Sequence, residues 1–150
     1  MKPRIIAKAF HYANHLHWKM SRLATVSAEG KPALTLSSPV EFKGEPGNWT
    51  PEDLFLVSLN SCLLMTFLAY AERENIAVSS YESAVSGTVE KDGNGYRFTE
   101  VHIEPRVGLE DSSYAGRVEE LLHHAEETCL IANSVKARVH VEPHVLAIAD

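Results

Sequence analysis

Few residues in this chain can do chemistry of their own. Two cysteines, Cys62 and Cys129, are the soft nucleophiles in 150 residues, and a thiol attacks only as its thiolate. Free cysteine most often serves as a small buried hydrophobe. Burial in apolar surroundings also raises a thiol pKa, so a reactive Cys62 needs a cation close by. Eight histidines form the second reservoir. His15 with His17, His140 with His144, and His123 with Glu127 could each supply two ligands. None of these spacings is joined to the cysteine pairs of a zinc motif, so no metal is expected. Solvated or locally hydrogen-bonded imidazoles are the better account, and a histidine-based metal protein is the weaker alternative.

The element that must position Cys62 is the stretch 48–74. Thr50 suits an N-cap and Pro51 a first helical position, where a missing N–H costs nothing. Glu52 and Asp53 add negative charge to the first turn, where the helix dipole favours it. From 54 to 71 almost every residue is apolar or small, which predicts a helix buried on all sides. Its length would serve a membrane span. Ser58, Asn60, Ser61, Thr66 and Tyr70 interrupt it, however, and no basic flank precedes it, so a core helix and no membrane partner are expected. One sheet covers only one side of such a helix. A second copy of the chain would cover the other, which predicts a homodimer.

The rest of the chain reads as strands and one more helix. Residues 1–12 carry weak strand character, while 22–27 and 33–37 flank a turn at Ala28-Glu29-Gly30-Lys31. A loop at 39–48 leads into the helix. Strands at 78–91 and 96–107 flank Asp92-Gly93-Asn94-Gly95, with Pro105 suggesting a sheet edge or strand end. Asp111 can cap a helix near 112–128, whose Val118, Leu121, Leu122 and Ala125 share one face. Alternation over 136–143 predicts a last strand. Hairpins in place of crossovers make the class α+β, with mostly antiparallel sheet around a buried central helix. No linker divides the chain, so residues 1–150 are expected to be a single domain.

Composition removes several functions. Fourteen basic against 20 acidic residues give a net charge of −6, which excludes a nucleic-acid footprint. Hydrophobic content of 45% and charged content of 23% are those of an ordinary soluble protein. The opening MKPRIIAKAF lacks the apolar core of a secretory signal, so a cytoplasmic location is expected. In that compartment two cysteines are redox-active, catalytic or simple core residues more often than a structural disulfide. A glycine-rich phosphate loop is absent, so no nucleotide, flavin or haem cofactor is expected.

Thr50-Pro51-Glu52-Asp53-Leu54 followed by Asn60-Ser61-Cys62 resembles the motif around the first cysteine of the OsmC/Ohr family, the osmotically inducible and organic hydroperoxide resistance proteins. Glu127-Thr128-Cys129-Leu130-Ile131-Ala132-Asn133-Ser134 resembles the segment around that family's second cysteine. The resemblance implies an OsmC-like fold, an intertwined homodimer with sites at the interface, and a thiol peroxidase active in oxidative stress. Organic hydroperoxides would be the substrates, with hydrogen peroxide a further candidate. Cys62 would be the peroxidatic thiolate that becomes a sulfenic acid, and Cys129 the thiol that resolves it as a disulfide. A dithiol or lipoyl-type reductant would then restore both. Glu52 would hold an activating arginine, for which Arg22 is the nearest candidate. The local run His17-Trp18-Lys19-Met20-Ser21-Arg22 departs from the family pattern, and Lys19 is a poorer substitute because it lacks the planar fork. Glu52 and Cys62 lie ~15 Å apart along one helix axis, too far for one arginine to bridge in the same helix. His15, His17 and Trp18 are candidates for the site mouth, and Phe55, Leu63 and Phe67 favour an organic peroxide. The departure before Arg22 and the lack of a proline after Cys129 keep an alternative open: an OsmC-like small-molecule binding or stress-accessory protein with little turnover.

Overall fold

The computed structural model describes residues 8–147. The chain forms two compact units, Met1–Glu52 and Asp53–Asp150. In the first, β1 (His15–Met20), β2 (Leu23–Ser27) and β3 (Leu34–Leu36) make an antiparallel sheet in that order. The expected strand at 1–12 is not found where it can be checked. Residues 1–7 lie outside the described residues, and 8–14 hold no strand. The first strand is His15–Met20, whose polar His15, His17 and Lys19 alternate with Leu16, Trp18 and Met20. The β2–β3 turn is the expected one: Lys31 N–H donates to Ala28 O at 3.1 Å, and Gly30 has φ +74°. Buried Ser37 ties the following loop, accepting from Glu45 N–H at 3.0 Å through Oγ and donating its own N–H to Trp49 O at 2.9 Å.

The second unit is built on helix α1 (Pro51–Arg73), which starts at the end of the first unit. Leu59, Leu63, Phe67 and Ala71 recur every four residues and are buried, forming the face turned to the core. Burial on all sides is not what a single chain shows. Val57, Met65 and Leu68 are 42%, 63% and 38% exposed, so the apolar residues form an inner stripe and an uncovered outer one.

The core stripe packs against β4 (Val78–Asp92) and β5 (Gly95–Leu109), a long antiparallel hairpin closed by Gly93 and Asn94. Val101, Ile103, Val107 and Leu109 point inward from β5. Phe98 also joins the core, stacked on Phe55 at 4.4 Å. Phe98 and Val101 are three positions apart, a spacing that strict alternation would put on opposite faces. A bulge reconciles them: Thr88 pairs with Glu100 and Val89 with Phe98, leaving Thr99 as the extra residue. Gly87 lets the helix approach here, since a Cβ on it would meet Leu56 Cδ2 and Phe98 Cε1 at 2.8 Å.

Asp111 caps a short 3-10 turn, its side chain accepting from Ser113 N–H at 2.9 Å. Helix α2 (Ala115–Thr128) follows and buries Val118, Leu121, Leu122 and Ala125, the face read from its periodicity. Then β6 (Arg138–Val141) and β7 (His144–Ala147) both pair with the far side of β5, in parallel. Two parallel pairings were not expected, although the sheets remain rich in antiparallel pairs. Nor is Pro105 at an edge. It is buried inside β5, opposite Ser83 of β4. Glu142 N–H donates to Ile103 O, so Pro105, two residues on, turns its N toward the same neighbour. That neighbour is interrupted there, β6 ending opposite Ile103 and β7 beginning opposite Arg106. A residue without N–H is tolerated because no strand residue is present to accept from it.

Candidate functional site

Cys62 sits mid-helix in α1, partly exposed, with Thr66 one turn on and Thr66 Oγ1 3.9 Å from its Sγ. Cys129 is the residue at which α2 stops, in extended backbone at φ −61° and ψ 120°, and is only 2% exposed. The fold brings the two thiols, distant in sequence, close enough for each to shift the acidity of the other. The chain after Cys129 is a tied turn. Asn133 N–H donates to Cys129 O at 3.0 Å, Ser134 Oγ donates to Leu130 O at 2.8 Å, and Asn133 Nδ2 donates to Glu127 O at 3.2 Å.

That turn differentiates the thiols. Burial pushes Cys62 upward, but the Cys129 thiol, the backbone N–H groups of Ile131 and Leu130, and the Thr66 hydroxyl donate toward its sulfur. The donors win, and Cys62 lies below the usual thiol range. For Cys129 burial dominates and its bond to Cys62 adds to it, so it is pushed up to about 11. Of the pair, Cys62 is therefore the thiol that loses its proton first, and Cys129 holds its own. Among the described residues no charged side chain contributes to lowering Cys62; the Cys129 thiol, backbone N–H groups and a hydroxyl do. A second tie lies two turns along α1. Tyr70 Oη is 2.6 Å from Thr128 Oγ1, and Thr128 Oγ1 itself donates to His124 O at 2.8 Å, so Tyr70 is the donor. The Tyr70 ring also lies 4.7 Å from that of His124.

The other two expected site residues belong to the N-terminal unit. Arg22 is exposed in the turn between β1 and β2, beside Ser21 at φ 49°. Glu52, in the first turn of α1, holds Oε2 buried without a hydrogen-bond partner. Among the described residues no ion pair joins the two. His15, His17 and Trp18 lie on β1 and are exposed. Thr66, Tyr70 and Thr128 were not singled out from the sequence as site residues. A signal existed: Cys62, Thr66 and Tyr70 are the non-aliphatic positions of one four-residue repeat, a polar stripe within an apolar helix.

A partly exposed thiol of lowered pKa on α1 and a buried thiol at the end of α2 lie together in an α+β fold. The family model of OsmC-like protein matches residues 44–144. The chain belongs to the OsmC-like family. It resembles an OsmC-like protein of unknown function from Vibrio cholerae with a TM-score of 0.83 and 26% identity, covering 90% of this chain and 99% of that one. An organic hydroperoxide resistance protein OsmC from Legionella pneumophila shares the fold at TM-score 0.72 and 23% identity, over 92% and 98% of the two chains. So does a Vibrio cholerae protein assigned to organic hydroperoxide resistance, with captopril bound in one of its active sites. There the TM-score is 0.69 and the identity 24%, over 95% and 96%. No curated protein matches the chain.

Proposed function

We propose that the protein is a cysteine-based peroxidase that reduces organic hydroperoxides. The observation that carries this is the neighbouring pair of thiols, with Cys62 below and Cys129 above the ordinary thiol range. The Cys62 thiolate attacks the distal peroxide oxygen and the O–O bond breaks. Its electron pair leaves on the alkoxide, which takes a proton and departs as the alcohol. Cys62 is then a sulfenic acid, the reversible first step of thiol oxidation. The Cys129 sulfur, giving up its proton, attacks the sulfenic sulfur and expels water, leaving a disulfide. An external dithiol or lipoyl-type reductant returns both thiols by exchange. A buried, protonated Cys129 suits this order, since it does not compete for peroxide before Cys62 has reacted. Working thiols of this kind suit the reducing cytoplasm.

Within this reading Arg22 supplies an activating cation and Glu52 holds it. The unpartnered Glu52 Oε2 supports a missing cationic partner. A second copy of the chain would cover exposed Val57, Met65 and Leu68, and the site would be completed at that interface. The test adds one equivalent of cumene hydroperoxide to reduced protein, with free-thiol count, intact mass and native mass read together. Both thiols should vanish, the covalent mass should be that of an intramolecular disulfide, and the native mass should be that of two chains. Cys62→Ser should leave Cys129 unreacted, and Arg22→Ala should slow the loss. Thiols that survive this dose sink the peroxidase and leave a family member that binds small molecules without turning them over.

A further inference from the structure

The outer face of β5, opposite the core, carries a second group of chemically capable side chains. Glu100 and His102 point outward there, on either side of buried Val101. The parallel register sets His140 of β6 beside His102 and Arg138 beside Glu100. The two imidazoles stack at 4.8 Å with an interplanar angle of 17°. His140 Nε2 lies 2.5 Å from Glu100 Oε2, and one ligand atom from each of Glu100, His102 and His140 falls within 4.8 Å of the others. The Thr99 bulge is what turns Glu100 to this face, because unbroken alternation from Phe98 would send it inward.

We propose that Glu100, His102 and His140 form a binding site for a divalent first-row transition-metal ion of the zinc class. Two imidazoles and one carboxylate, with a further position open to water, are a known zinc donor set, and imidazole selects against magnesium and calcium. Bond lengths of about 2.1 Å in a tetrahedron put ligand atoms about 3.4 Å apart. Reaching that spacing opens the His140–Glu100 contact by about 1 Å and draws His102 in by a similar amount, movements these side chains can make on fixed strands. Glu100 also stands 4.0 Å from Arg138 Nη1; the Arg138 side chain is 78% exposed and free to swing into water as the ion replaces it. No sequence spacing revealed the site, because its ligands meet only through the β5–β6 register. It shares no residue with the cysteine pair, and the bound ion clamps β6 to β5.

The test uses the full-length reduced protein with Zn2+ calorimetry, and Co2+ as a spectroscopic probe. One ion per chain should bind, with cobalt d–d bands lacking a thiolate charge-transfer band, and Zn2+ should raise the melting temperature. His102→Gln and His140→Gln should each weaken binding by about tenfold or more, and the double variant should abolish the thermal shift. Circular dichroism and Cys62 alkylation rate report that these exposed variants remain folded. Unchanged affinity in the double variant, or a cobalt spectrum dominated by thiolate, overturns the proposal.

Discussion

Removing the Cys129 thiol tests how the Cys62 sulfur is activated. Cys129→Ala deletes one of the donors that hold Cys62 below the thiol range, leaving Ile131 N–H, Leu130 N–H and the Thr66 hydroxyl. A hydrogen bond to a charged group contributes about 1.5–3 kcal/mol. The Cys62 midpoint should therefore rise. On the acid side of the midpoint, that energy corresponds to a fall of about 10- to 100-fold in thiolate fraction. Loss of burial acts the other way and is the largest single influence on Cys62, so the direction of the change reports which of the two wins. The assay is the rate of iodoacetamide alkylation of Cys62 against pH, alongside ultraviolet absorbance of the thiolate. Wild-type protein should show two thiol steps, the second near 11 and absent from the variant. Cys129→Ser keeps a donor at the same place and should recover most of the shift. A Cys62 profile that stays put, or moves down, in Cys129→Ala would mean that the thiol–thiol bond does not activate the nucleophile.

Two further outcomes follow from the packing. Gly87→Ala places a Cβ 2.8 Å from Leu56 Cδ2 and from Phe98 Cε1, and Phe98 is held by its stack on Phe55. Overpacking of this kind should cost about 1–3 kcal/mol in urea unfolding, and an unchanged midpoint would refute the close approach of α1 to the hairpin. Burial pushes the Tyr81 hydroxyl up to about 12. Because the fold favours its neutral form, its contribution to stability is intact below about pH 10, the unfolded value, and is lost as pH rises toward 12. An ultraviolet titration should show a late tyrosine step toward pH 12, and Tyr81→Phe should remove it.

The elements most readable from the chain were those whose pattern is local. The α2 stripe of Val118, Leu121, Leu122 and Ala125 and the Asp92–Gly95 turn follow from periodicity and turn chemistry alone. What the sequence concealed depends on partners far along the chain. Pro105 looks like a breaker until the gap between β6 and β7 is known, and β7 itself is too short to announce itself. The strand in His15–Met20 does alternate, but its histidines invited a chemical reading ahead of a structural one. In the site, the two cysteines were legible through their flanking motifs. Their unequal acidities were not, because backbone N–H groups of Leu130 and Ile131 carry no residue signature.

The split edge of β5 orders the assembly of the molecule. β4 and β5 meet across a two-residue turn, whereas β6 and β7 reach the other side of β5 only after α2 has been laid down. Local pairings close quickly and distant ones pay loop entropy first, so the hairpin precedes the parallel strands. Cys129 sits on the late side of that division, at the junction of α2 with the segment leading to β6. On this order a newly made chain is expected to carry Cys62 on a helix before Cys129 stands beside it. The meeting of the two sulfurs marks the completion of the fold.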